Sequence, residues 1–229
     1  MIKDIHSLNL KKYRDESGLF VAEGAKAVED LLHFMRCKTL FATEEYFASL
    51  SCSIRSKVLD IEVVDASQLK KLSNLSTPRD VVAVFEKKTV ATDVDELAGL
   101  PGKMLCLALD GVQDPGNLGT IIRLADWFGI EHVFASRDTA DMYSPKVVQA
   151  TMGAIARVAV HYVDLPCVLS RAAESGAAVY GTFLDGADMY AESLEHNGVI
   201  VMGSEGNGVW REVSGCVGPR VFFRPCPAG

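Results

Sequence analysis

Two short strings hold the residues best suited to chemistry. The first runs Asp110-Gly111-Val112-Gln113-Asp114-Pro115-Gly116-Asn117-Leu118-Gly119-Thr120-Ile121-Ile122-Arg123. It passes from an apolar strand through a Pro-Gly turn into a helix, and Asn117 suits the helix N-cap because its side-chain oxygen can accept a free backbone N–H. Leu118, Ile121, Ile122 and Ala125 form one apolar stripe. At about 100° per residue, Arg123 falls about 150° from the centre of that stripe, so it faces water or a cleft. A planar fork of donors there suits a phosphate or an anionic transition state.

The second string is Val199-Ile200-Val201-Met202-Gly203-Ser204-Glu205-Gly206-Asn207-Gly208-Val209. Glycines following a buried strand allow backbone to approach a ligand closely. A plain hairpin turn at Asn207-Gly208 is the competing account, and it leaves Glu205 unexplained. No Gly-Lys-Ser/Thr follows and no Gly-x-Gly-x-x-Gly is present, so neither a Walker loop nor a dinucleotide fingerprint is indicated.

The elements around these strings are α/β. In the first ninety residues, Leu19–Ala22 reads as a strand and Gly24–Met35 as a helix with Ala27, Val28, Leu31 and Leu32 on one stripe. Leu40–Ala42, Glu62–Val64, a Ser67–Leu72 helical turn and the β-branched run Val81–Phe85 complete a compact module. Thr89–Leu100 is polar, ends at Pro101-Gly102 and is predicted to be a linker over 91–102. Met104–Leu109 is a continuous apolar run of the kind buried on both faces of a parallel sheet. Strands are also predicted at Val133–Ala135, Val158–Val160, Ala178–Thr182, Val199–Met202 and Val221–Phe223, with helices between most of them. That alternation places a ligand crevice at the carboxyl ends of parallel strands in a domain spanning 103–229.

The chain has 229 residues, 48% hydrophobic and 23% charged, and six scattered cysteines that form no Cys-x-x-Cys pair. They read as thiols, mostly small core residues, and no metal is expected. No apolar stretch reaches the roughly 20 residues of a spanning helix and Met1–Asp4 lacks a secretion signal, so no membrane association and a cytoplasmic location are expected. A net charge of −7 argues against a phosphate-rich partner. Its distribution softens that objection, because residues 1–90 hold 14 Lys/Arg against 13 Asp/Glu and residues 91–229 hold 9 against 17.

Together the two strings resemble the first two motifs of the SpoU/TrmH class of knotted SPOUT methyltransferases. Residues 1–90 are similar to the RNA substrate-binding domain, related to ribosomal protein L30e, that precedes the catalytic domain in many members. Lys12-Tyr13-Arg14, Phe20-Val21-Ala22-Glu23-Gly24 and Leu75–Val84 carry that similarity. The resemblance implies transfer of a methyl group from S-adenosylmethionine to a ribose 2′-hydroxyl, with ribosomal RNA preferred over transfer RNA. It makes Arg123 the catalytic residue and has Asn117 and Glu205 shape the site, with Glu205 orienting Arg123. Donor contacts would fall on Thr182, Gly203, Phe223 and Arg224, RNA contacts on Lys12, Arg14 and Arg79, and the assembly would be a homodimer. A non-catalytic RNA-binding protein of this architecture and a knotted base methyltransferase are the alternatives.

In one respect the sequence departs from the family. Members continue beyond the last strand into a third motif, whose Ser-Leu-Asn opens the final helix and closes the trefoil knot, whereas this sequence stops at Pro225-Cys226-Pro227-Ala228-Gly229. If 1–229 is the whole protein, the knot is incomplete and donor binding is expected to be weak or absent. Calorimetric titration with S-adenosylmethionine measures this, and a tight complex would refute it.

Overall fold

A computed structural model describes the backbone of residues 2–78 and 80–223. Its contacts separate two compact units, Met1–Thr89 with Pro115–Arg123 and Asp141–Arg157, and Val90–Asp114 with Leu124–Ala140 and Val158–Gly229.

The first unit begins with helices α1 (Ile2–Ser7) and α2 (Lys11–Ser17), then β1 (Leu19–Glu23), α3 (Ala25–Phe34), β2 (Cys37–Ala42), α4 (Glu44–Ser49) and α5 (Cys52–Arg55). It continues with β3 (Val58–Val63), α6 (Ala66–Leu72) and β4 (Val81–Glu86). The four strands lie in the order β1-β4-β2-β3, with β4 antiparallel to both neighbours and β2 parallel to β3. Alternation along the strands sends Val21, Phe41, Val82 and Val84 into one cluster with Ile5, Leu8, Leu69 and Leu72. The predicted stripe of α3 is buried in full. Helix α6 starts on a capping box, in which Gln68 N donates to Asp65 Oδ1 at 2.8 Å and Asp65 N donates to Gln68 Oε1 at 2.9 Å.

The predicted linker is not bare. It carries α7 (Val94–Ala98), whose Leu97 and Ala98 are buried with Cys106, Ala108 and Phe134 in the core of the second unit. An apolar pair at adjacent helical positions outweighs the acidic spacing that suggested a linker. From there the chain runs through β5 (Leu105–Asp110), α8 (Pro115–Trp127), β6 (His132–Ala135) and α9 (Pro145–Thr151). The remainder comprises β7 (Ala159–Tyr162), α10 (Leu165–Glu174), β8 (Val179–Asp188), β9 (Gly198–Gly203), α11 (Arg211–Ser214) and β10 (Arg220–Phe222). The six strands of the second unit form one sheet, β10-β8-β9-β5-β6-β7, and every neighbouring pair is parallel.

Of the described cysteines, Cys37 and Cys106 are buried, Cys167 and Cys216 are half-buried and Cys52 is exposed, so the reading as mostly core residues holds for only two. Burial pushes the Cys37 and Cys106 thiols up to about 12, which keeps both protonated. No described helix is long and apolar enough to cross a membrane.

At the sheet edge, His161 is 2% exposed, its Nδ1 lies 3.0 Å from the Ala91 carbonyl oxygen and its Nε2 lies 3.0 Å from His132 Nδ1. Desolvation and the neighbouring imidazole lower its pKa, partly opposed by the Ala91 hydrogen bond. A base whose pKa is lower in the folded state than in the unfolded chain leaves the unfolded chain binding more protons, so stability falls as pH drops below the ordinary histidine range. The melting temperature should decline on acidification from pH 7 toward 5, and His161→Phe should flatten that slope.

Candidate active site

Helix α8 presents Arg123. Leu118, Ile122 and Ala125 of its stripe are fully buried and Arg123 is exposed, as the helical spacing requires. The helix begins at Pro115, so Asn117 is its third residue and not its N-cap. Proline lacks the N–H that a first helical residue leaves unpaired and its φ is already helical, which draws the helix start forward to Pro115. Midway along, Gly119 lets α8 approach α9, since a Cβ there would lie 2.4 Å from the Ala150 Cβ. A glycine inside a helix costs about 1 kcal/mol relative to alanine, and this contact explains its presence.

The second string closes on itself. Ser204 and Gly208 exchange backbone hydrogen bonds of 3.1 and 2.9 Å, and Asn207 N donates to Ser204 Oγ at 3.1 Å. A turn therefore exists here, but it runs through Glu205, Gly206 and Asn207, with Gly208 paired to Ser204 at its end instead of lying at the turn's centre. The close approach at Gly203 is made by the chain's own backbone: a Cβ there would sit 2.0 Å from the Gly208 carbonyl carbon. Any side chain at 203 would force the turn open. Glu205 stands exposed on this turn.

The turn forms one wall of a cleft of about 600 Å³ at the carboxyl ends of β9 and β10, lined by Thr182, Gly203, Glu205, Phe222 and Phe223 among others. Three residues expected at the donor, Thr182, Gly203 and Phe223, thus share this cleft with Glu205. Thr182 Oγ1 is bonded to the Val201 carbonyl at 3.0 Å, which ties β8 to β9. Arg224 lies outside the described residues.

Asp110, to which the sequence reading gave no role, anchors the loop from behind. It ends β5 opposite Gly203 in the ladder, is 3% exposed, and its Oδ2 accepts the Trp210 N–H at 2.7 Å. Desolvation raises its pKa, the Trp210 hydrogen bond opposes that rise and Asp138 adds to it. The available signal was an acid closing an otherwise apolar strand.

The residues expected at RNA separate. Lys12 is exposed and pairs with Glu16 at 3.9 Å one helical turn away, while Arg79 lies outside the described residues. Arg14 does not serve as a phosphate contact. It is 2% exposed, its Nε and Nη2 donate to Asp141 Oδ2 at 3.1 and 2.6 Å, and its Nη1 donates to the Leu8 carbonyl at 2.7 Å. A buried guanidinium that spends its N–H groups on a half-buried carboxylate and a helix-end carbonyl is not open to an RNA phosphate.

The SpoU rRNA methylase family profile matches residues 104–217, and the MRM3-like substrate binding domain profile matches residues 1–83. A solved structure from Porphyromonas gingivalis, assigned to the TrmH family of RNA methyltransferases, superposes with a TM-score of 0.87 at 37% identity over 100% of this chain and 89% of that one. This chain belongs to the SpoU/TrmH family of RNA methyltransferases. The AdoMet-bound rRNA methyltransferase of Sinorhizobium meliloti matches the SpoU/TrmH chain with a TM-score of 0.83 and 29% identity, over 98% of this chain and 85% of that one. Among curated relatives, the 23S rRNA (guanosine(2553)-2′-O)-methyltransferase RlmP of Bacillus subtilis is 29% identical over 91% of this chain and 80% of its own length. The 23S rRNA (guanosine-2′-O-)-methyltransferase RlmB of a Burkholderia species is 33% identical over 72% of this chain and 67% of its own length.

Arg14→Ala leaves the half-buried Asp141 carboxylate with the Tyr143 N–H but without its cation, and breaking a fully buried pair costs about 3 to 5 kcal/mol, so the loss here should fall at or below the lower end of that range. Thermal melting should register that loss. Lys12→Ala should leave stability unchanged and weaken binding to RNA.

Proposed function

We propose that this chain transfers a methyl group from S-adenosylmethionine to a ribose 2′-hydroxyl of ribosomal RNA. The observation that carries the reading is the self-bonded Gly203–Gly208 turn, which holds Glu205 on the wall of a cleft at the carboxyl end of a parallel strand in a chain of this family. The cleft's volume lies within the range of small-molecule sites, and its aromatic and backbone lining suits a nucleoside. Thr182, Gly203, Phe223 and the turn backbone would hold S-adenosylmethionine, which supplies, when bound, an electrophilic methyl on a positively charged sulfur.

The chain's own groups orient and stabilise. An arginine keeps its proton in proteins, so Arg123 acts by holding the RNA phosphate and stabilising negative charge on the attacking 2′-oxygen. The methyl would exchange its bond to sulfur for a bond to the 2′-oxygen, and the hydroxyl proton would pass to solvent water while Arg123 stabilises the charge on that oxygen. The step needs alignment above all, and within its own unit each group has a fixed mount, Glu205 on a self-bonded turn and Arg123 on a helix whose apolar stripe is buried. Asn117 and Glu205 shape the site in this reading. A homodimer belongs to the same proposal, supported by the exposed apolar side chains of Leu124, Trp127 and Phe128.

Arg123→Ala should lower methyl transfer to large-subunit ribosomal RNA by about a hundredfold or more, with RNA binding largely retained. Methyl incorporation from radiolabelled S-adenosylmethionine reads the outcome, and unchanged transfer would remove Arg123 from the mechanism.

A further inference from the structure

The first unit contains a second cleft, of about 410 Å³, lined by Asn9, Glu23, Asn74, Ser144, Lys146 and Gln149 over apolar walls from β1, α3 and α9. We infer that this cleft receives one unpaired nucleobase of the RNA substrate, a reading that rests on RNA being the substrate.

Its polar groups are built and held. Asn74 N and Nδ2 donate to Glu23 Oε1 at 2.9 and 3.1 Å, Ser73 Oγ donates to Glu23 Oε2, and Asn9 Nδ2 donates to Asn74 Oδ1 at 2.7 Å. A carboxamide carries two N–H donors, so this network fixes both amides and uses one N–H of each. Carboxamides pair with the edges of bases, and unpaired RNA bases are read along those edges.

Ser144 is an independent sign of a ligand. It holds the N-cap position of α9, with φ −64 and ψ 144, yet its side chain makes no cap hydrogen bond. Its Oγ is buried and has no partner among the described residues. A serine at this position ordinarily accepts a backbone N–H, and leaving a buried hydroxyl unpaired is destabilising. A polar ligand group that enters the cleft and draws this hydroxyl outward supplies the missing partner.

The lining favours a base over a phosphate. Glu23 places a carboxylate beside the cleft, its surroundings supply apolar walls, and among the described residues Lys146 is the one lysine on its rim. That lysine can meet the phosphate of the same nucleotide while the base occupies the interior.

Filter binding of the full chain to large-subunit ribosomal RNA over a salt series tests this. Gln149→Ala, at an exposed position, should weaken binding about tenfold with the salt slope unchanged. Lys146→Ala should weaken it and reduce the slope by about one. Ser144→Ala is the discriminating variant: removing an orphaned hydroxyl should leave the melting temperature equal or higher, while RNA affinity falls. If all three variants bind as tightly as the unaltered chain, the cleft is not a base site, although the RNA methyltransferase reading stands. If the unaltered chain binds no RNA, both readings fall together.

Discussion

A buried carboxylate at the end of a central strand is the constraint on which the candidate active site depends. Asp110 stands where β5 ends, and its hydrogen bond to Trp210 N grips the chain just after the glycine turn. The sheet fixes Gly203 at one side of the turn through the β5 ladder, and Asp110 fixes Trp210 at the other. Between these two anchors the Ser204–Gly208 backbone pair draws the loop tight. Because the carboxylate is desolvated, its hydrogen bond is strengthened by the low local dielectric, and an uncompensated charge there would be costly. The orientation of Glu205 therefore follows from an acid that touches no substrate in the proposed reaction.

Much of this was written locally in the chain. The continuous apolar run at Leu105–Leu109 foretold a strand buried on both faces, and the period of Ala27, Val28, Leu31 and Leu32 foretold α3, because these signals depend on the burial of one segment's own side chains. Arg123 could be placed off the core for the same reason. A turn in this string and a close backbone approach at its glycines were also in the sequence, but as two rival accounts, and the turn falls earlier than the Asn207-Gly208 pair suggested. The structure joins them, since Gly203 is required by the backbone of the turn itself.

Most of the misreadings have a physical origin in partners remote along the chain. The resemblance assigned Arg14 to RNA, and no local pattern announces Asp141, its partner 127 residues away. Asn117 was assigned the cap because Asn is a good capping residue, but a proline two positions earlier already satisfied the helix start. The acidic spacing of residues 91–102 hid Leu97, whose burial depends on strands that come later in the chain. Asp110 escaped notice because its function exists only once Trp210 has been delivered.

The strand order has a temporal meaning as well. In the second sheet β5 pairs with β6, its next strand in sequence, on one side, but on the other with β9, where Leu105 meets Gly198. Bringing such distant segments together must overcome a loop-closure cost before the contacts repay it. A nascent chain can therefore assemble β5, β6 and β7 first, with one flank of β5 and the carboxylate of Asp110 still open to water. The Asp110–Trp210 hydrogen bond cannot form before the chain that follows β9 is in place, so the site is complete only once that distant segment has joined the sheet.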